Sequence, residues 1–274
     1  MIDRQTNALF AFVLLLVFVL AAQSQVQLSI LLGIALSLLT VSVVFLLGFL
    51  SLEAMVPAAL VGTIAYAIGG IDSVLVLGVF FISASFLTLI NDQGVRKNEI
   101  NERRRGGRQV WSNAFWFTSF LLGSYMLDSL PLMMAALSAI ATSSADTWGT
   151  EVGLFSKNSK TISITRLTQV KAGTDGGVSL YGTIGSLIGS ALIGGIYTYT
   201  LSEKDITIFL IITFSGFMGS LIDSIIGDRF QSSNMSFSQT SEWNSKLQIS
   251  NNMVNWLSTG LGGMIGLTLY YVVL

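Results

Sequence analysis

The chain has 274 residues, 52 % of them hydrophobic and 11 % charged, with a formal net charge of -1; an average soluble domain carries about 25 % charged residues. A mean hydropathy of +0.71, with apolar runs recurring from residue 8 onward, excludes a soluble globule and leaves no stretch for a separate soluble domain. The absence of Cys and His excludes disulfides, thiolate chemistry, imidazole bases and the usual zinc ligands.

Runs long enough to cross a bilayer lie near residues 8–22, 28–47, 53–70, 72–90, 111–128, 131–146, 178–200, 205–226 and 252–273. The expected fold is therefore all-α, a polytopic integral membrane protein of about nine transmembrane helices. Tight hairpins are expected at Gly69, Gly70 and Asp72 and again at Asp128 and Pro131. Residues 1–22 are expected to remain an uncleaved helix, because Arg4 stands beside Asp3 and no small-x-small exit follows.

Lys and Arg concentrate on the cytoplasmic side of membrane proteins. With the N-terminus cytoplasmic, all of the 14 basic residues except Lys204 fall on that side. The three long polar loops, residues 91–110, 147–177 and 227–251, share that face. This topology predicts a multi-pass protein of the cell membrane with its site for a water-soluble ligand at the cytoplasmic boundary. The spacings Gly185 to Gly189 and Gly262 to Gly266 predict close helix packing. Trp111, Trp116 and Tyr125 are expected as interface anchors or lipid-facing bulk.

Two related strings carry acids at loop ends. SSADTWGTE (143–151) holds Asp146 and Glu151, and SLIDSIIGD (220–228) holds Asp223 and Asp228. Five residues turn a helix through about 500°, so one helical face presents only one acid of each pair unless the chain unwinds near Gly149 and Gly227. Ends of the sixth and eighth runs at 146 and 226 place Asp146 and Asp223 near helix C-termini, where the macrodipole disfavours anions. Acids there call for a cation, and an oxygen-only donor set favours Mg²⁺ or Mn²⁺. Asp146, Glu151, Asp223 and Asp228 are the candidate metal ligands, and the first three are the candidate catalytic residues.

The fifth, seventh and ninth helices start on the same face, where their N-termini attract anions. RRRGGRQVWSN places Arg103, Arg104, Arg105, Arg108, Gln109 and Asn113 before and in the fifth. KAGTDGGVS brings Lys171, Gly173, Thr174, Gly176, Gly177 and Ser179 to the seventh, and NNMVN brings Asn252 and Asn255 to the ninth. Glycines let backbone N–H groups approach phosphate oxygens, and arginines clamp others. Metal-type acids, anion-type helix starts and a basic clamp on one face describe a site for a polyphosphate with its divalent ion.

In order, RRRGGRQVWSN, SSADTWGTEVG, AGTDGGVSLYGTIGS, GSLIDSIIGDRFQ and NNMVN resemble the family that includes transmembrane protein 19, long catalogued as domain of unknown function 92. The likeness covers residues 48–272 and divides the chain into N-terminal helices (1–47) and a membrane domain (48–274). Asp175 stands where many members carry Asn. Plant members are phytyl-phosphate kinases. The resemblance implies a kinase that converts an isoprenoid monophosphate to its diphosphate with a nucleoside triphosphate, CTP or ATP. In that reading the lipid tail lies between Gly-rich helices, and the bilayer, the isoprenoid phosphate and the nucleotide are the partners, with no nucleic acid. The alternatives are a transporter or lipid translocase, for which the two strings are an internal repeat, and a CTP-dependent cytidylyltransferase.

Overall fold

The computed structural model describes residues 2–20, 24–91, 104–155, 160–201, 204–231 and 249–274. Arg103 lies outside them, as do Arg96, Lys97, Lys157 and Lys246 of the basic residues used for sidedness. Among the described residues each apolar run forms a helix: α1 Ile2–Leu20, α2 Ser24–Leu46, α3 Met55–Ala67, α4 Gly70–Asn91, α5 Gly107–Leu127, α6 Leu130–Phe155, α7 Leu180–Thr200, α8 Ile206–Phe230 and α9 Asn251–Val273. Between α6 and α7 lies a small antiparallel sheet of β1 Thr161–Ser163, β2 Gln169–Val170 and β3 Gly177–Val178, in the order β2-β1-β3.

Five stretches, Gln25–Leu46, Gly70–Asn91, Leu180–Thr200, Ile206–Phe230 and Asn251–Val273, are long and apolar enough to cross a membrane, and Arg4–Leu20 and Leu52–Ala67 are shorter apolar helices. The weaker hydropathy of α5 and α6 follows from their position. Helix α6 packs against α4, α5, α7, α8 and α9, and every residue from Met134 to Ala145 is buried. A helix enclosed by other helices meets protein rather than lipid, so Ala, Ser and Thr serve it better than Leu. Close approach follows: a Cβ on Gly216 would sit 2.6 Å from Ala141 Cβ, one on Gly219 2.3 Å from Thr142 Oγ1, and one on Gly266 2.1 Å from Ser138 Oγ.

Both hairpins form where expected. Gly70 takes a positive φ of 68° between α3 and α4, and Asp128, left-handed at φ 47°, caps α5 by donating its N–H to Ser124 O. Trp111 is enclosed by protein rather than lipid-facing. It is 4 % exposed, donates Nε1–H to Asn7 Oδ1 at 2.7 Å and stacks on Phe10 at 4.6 Å, tying α5 to α1. Its indole N–H finds a partner inside the bundle, so no headgroup is needed. Tyr125 is 41 % exposed.

Helix α6 runs to Phe155 rather than ending at 146, because the glycines of its polar string face α7. A Cβ on Gly149 would meet Ser186 Oγ at 2.2 Å, and one on Gly153 would lie 3.5 Å from Gly182 Cα. Helix α8 likewise continues through Gly227 to Phe230. Asp146 and Asp223 are thus about two turns or more from their helix ends. A macrodipole acting over the last turn does not reach them, and the expectation that they oppose it is corrected.

Candidate functional site

The starts of α5, α7 and α9 and the final turns of α4, α6 and α8 line one cavity of about 540 Å³, inside the range of roughly 300–1,000 Å³ for small-molecule sites. Of the lining residues only Leu154, Ala172, Val178 and Leu221 carry wholly hydrocarbon side chains. The cavity therefore suits a polar ligand. Gly185 and Gly189 are filled by contacts with Trp148 and Ser144 of α6, and Gly262 by Thr142, so those glycines leave no channel for a lipid tail.

Asp146 and Asp223 both line the cavity, and their like charges act on each other. Asp223 is 9 % exposed and its Oδ2 accepts from Ser258 Oγ at 2.7 Å. No hydrogen-bond donor and no cationic side chain pairs with Asp146 among the described residues. On α9, Asn255 is 8 % exposed and donates Nδ2–H to Asn113 Oδ1 at 3.1 Å, while its own Oδ1 is buried without a partner. A buried acceptor without a donor costs about 1–3 kcal/mol, a cost that a cation or ligand donor removes. Two carboxylates and an orphaned amide oxygen are a hard, oxygen-only set. Among the described residues no three acids gather as a cage. Mg²⁺ commonly uses one or two carboxylates plus substrate phosphates, so the set fits it.

The second acid of each string is hydrogen-bonded rather than solvated, and the helices stay intact. Glu151 reaches the cavity wall but faces α4, where Oε1 accepts from Thr88 Oγ1 at 2.6 Å and Oε2 from Asn91 Nδ2 at 2.5 Å. Asp228 does not line the cavity. Its carboxylate accepts from Ser163 Oγ at 2.5 Å, Thr165 N at 3.1 Å, Thr165 Oγ1 and Arg166 Nη2 at 2.9 Å. The oxygens of Glu151 and Asp228 are thus engaged by protein donors, and of the four acids in the two strings Asp146 and Asp223 are the ones the structure leaves on the cavity with fewest partners. Asp228 fastens the sheet to the end of α8. An Asp228→Ala variant is expected to lose about 1–3 kcal/mol of stability, read as a lower Tm, while keeping its Mn²⁺ affinity within about twofold.

The basic wall is built by Arg104 and Arg105. Arg105 N donates to Phe49 O at 3.0 Å and its carbonyl accepts from Ser51 N at 3.1 Å, fixing it beside the α2–α3 connection. Its guanidinium lies 5.7 Å from the Phe80 ring centre and 5.1 Å from that of Phe81; Arg104 lies 5.4 Å from Phe45. Burial lowers the Arg105 guanidinium to about 10, opposed by the charge of Glu151, so it stays cationic at neutral pH. Among the described residues no acceptor pairs with its side chain, and Arg104 Nε is buried without one.

Gln109, Asn113, Gly173, Thr174, Gly176, Gly177 and Ser179 also line the cavity. Ser179 caps α7, accepting from Gly182 N at 3.1 Å. The N–H groups of Thr174 and Gly177 are used inside the turn, on Lys171 O and Thr174 O, so they are not open to a ligand there. Asp175 adds a fourth acid to the wall, and burial raises its carboxyl above the ordinary value.

Arg108, Lys171 and Asn252 do not line the cavity; Arg108 and Lys171 are exposed, and Asn251 takes the place expected of Asn252. The stripe Asn251, Asn255, Ser258 at i, i+4, i+7 was the signal for that face of α9. Thr88 and Asn91, three apart at the end of an apolar run, carried a similar signal.

Apolar helices around an enclosed helix, with a polar cavity where six helix ends meet, define a polytopic helical membrane protein. The chain belongs to the integral membrane protein DUF92 family, whose family model matches residues 35–263 and so begins inside α2. It is 27 % identical over 231 residues to an uncharacterized membrane protein of Methanocaldococcus jannaschii, covering 80 % of this chain and 84 % of that one. It is 27 % identical over 210 residues to Protein PGR of Arabidopsis thaliana, covering 66 % and 72 %. With an uncharacterized membrane protein of Synechocystis it shares 28 % over 218 residues, covering 77 % and 78 %. No solved structure matches it.

Proposed function

We propose that this chain is a multi-pass kinase of the cell membrane that transfers the γ-phosphoryl group of CTP or ATP to an isoprenoid monophosphate at the cytoplasmic face, with its N-terminus cytoplasmic. The observation that carries the reading is one cavity lined by arginine donors without acceptors among the described residues, two carboxylates and three helix N-termini. Phosphoryl transfer asks for positioning and charge neutralisation, and those are the groups that provide them. An acceptor phosphate is already ionised, so a chain without His needs no strong general base. The isoprenoid class comes from the motif resemblance.

An oxygen of the acceptor phosphate attacks the γ-phosphorus, and the bond from that phosphorus to the bridging oxygen breaks. Nucleoside diphosphate leaves with the electron pair, and isoprenoid diphosphate forms. Arg104 and Arg105 hold phosphate oxygens, and the α7 N-terminus capped by Ser179 lines the same cavity. Gln109 and Asn113, one turn apart on α5, orient the ligand. Asp146, Asp223 and Asn255 would hold Mg²⁺ or Mn²⁺, which when bound supplies neutralisation of the polyphosphate charge.

Product analysis on the purified protein with Mg²⁺, farnesyl phosphate and CTP or ATP tests the reaction. Nucleoside diphosphate and farnesyl diphosphate are the expected products. Release of inorganic diphosphate would instead make the chain a cytidylyltransferase, and nucleotide left intact would overturn the enzyme reading in favour of a carrier.

A further inference from the structure

The cavity offers two kinds of anion-binding ground, and they differ in what stands behind them. Behind the turn at 173–177 lie the small sheet and the end of α8. Behind Arg104 and Arg105 lie aromatic rings on the two most apolar helices, α2 and α4.

Those rings border the bilayer. Phe49 and Phe81 meet edge to face at 6.4 Å, and Phe45, Phe49 and Phe81 are only half-buried. Around them Leu46 is 81 % exposed, Leu47 67 %, Ile82 69 % and Phe86 61 %. In a membrane such surface meets hydrocarbon chains. Gly48, at φ +85°, reverses the chain after α2, and a Cβ there would lie 4.0 Å from Arg104 Nη2, so the guanidinium sits at this turn. One short stretch thus joins two cations lining a polar cavity to an aromatic rim facing lipid.

We propose that Arg104 and Arg105 form the subsite for the phosphate of a single-chain lipid monophosphate, whose hydrocarbon chain leaves the cavity over Phe45, Phe49 and Phe81 and lies against α2 and α4. The proposal rests on the kinase reading for its chemical context and assigns the acceptor's place within it. Charge complementarity selects the phosphate, since among the described residues the guanidinium donors lack acceptors and Arg is suited to bidentate phosphate contact. The rim selects the chain, because a nucleotide has no use for an apolar exit. It leaves the Asp146, Asp223 and Asn255 wall to the nucleotide phosphates.

The test is equilibrium binding of radiolabelled farnesyl phosphate to the full chain in detergent, together with steady-state kinetics. Arg105→Ala and Arg104→Ala are expected to raise the farnesyl phosphate Kd at least tenfold while moving the nucleotide KM less than twofold. An unchanged nucleotide KM also shows that the variant has folded. Arg105→Lys keeps the charge but loses the fork, so it should recover only part of the affinity. Phe81→Ala should weaken farnesyl phosphate several-fold and leave isopentenyl phosphate, whose chain is too short to reach the rim, unchanged.

The subsite is overturned if the arginine variants raise the nucleotide KM instead, or if farnesyl and isopentenyl phosphate respond alike to Phe81→Ala. It is also overturned if phosphatidic acid or inorganic phosphate displaces the label as well as unlabelled farnesyl phosphate does. Farnesyl phosphate turnover with unchanged affinity in both arginine variants refutes the subsite and leaves the kinase standing. Arginine-dependent binding without any diphosphate product supports the subsite and refutes the kinase.

Discussion

Replacing Asp223 or Asp146 by Asn is expected to lower turnover about 10²–10³-fold, the usual effect of removing one preorganised charge from a transition-state site, without loss of stability. The two carboxylates line one cavity, and Asp146 has no donor or cationic partner among the described residues. A carboxylate enclosed by protein is costly to keep charged, so a neutral Asn of nearly the same size relieves the folded state. At position 223 an Asn keeps an oxygen for Ser258 Oγ, so α8 and α9 stay joined. Activity should therefore fall while Tm holds or rises, a combination found where function opposes stability. A second readout is independent of turnover: Mg²⁺ or Mn²⁺ should raise the wild-type Tm by binding the folded state, and either variant should lose that shift. Full turnover in a stable Asp146→Asn or Asp223→Asn protein would remove both residues from the site.

Why Asp146 and Asp223 should differ from Glu151 and Asp228 was half legible in the sequence. The 140° or so between acids five residues apart does separate them on an intact helix. Whether the helix stayed intact depended on α7, whose Gly182, Gly185 and Ser186 receive Gly149, Trp148 and Val152. No local signal in SSADTWGTE carries that information, so unwinding at the glycine and an intact helix with a solvated second acid stay equally open from the sequence. The same long-range dependence hid the partners of the second acids. Thr88, Asn91, Ser163, Thr165 and Arg166 come from α4 and the sheet, some 60 residues or more away in the chain. The convergence of alternate helix ends was legible because it follows from short hairpins at the opposite end of the bundle. Lys171, read as a phosphate ligand from its place before a Gly-rich turn, points to solvent because its carbonyl, not its side chain, anchors that turn by accepting from Thr174 N.

The Gly-rich turn separates two uses of glycine that the sequence alone does not distinguish. Gly173 and Gly176 both have positive φ, 82° and 69°, so an Ala at either carries about 1–2 kcal/mol of backbone strain. Their surroundings differ. A Cβ on Gly173 would meet only Leu154 Cδ2 at 3.6 Å, an ordinary contact. On Gly176 it would fall 2.1 Å from Asp228 Cβ, 2.6 Å from its Cα and 2.7 Å from its backbone N. Helix α8 holds that backbone in place, so the turn must lift instead, adding roughly 1–3 kcal/mol of overpacking. Gly176→Ala should therefore release the segment from Thr161 to Val178 from α8, with amide exchange there faster by about tenfold or more than in Gly173→Ala. Its nucleotide KM should rise correspondingly, while the Mn²⁺ affinity of Asp146 and Asp223 changes little, since neither residue belongs to the turn. Equal exchange rates in the two variants would mean that Asp228 does not hold the turn against the cavity and that backbone strain alone governs both positions.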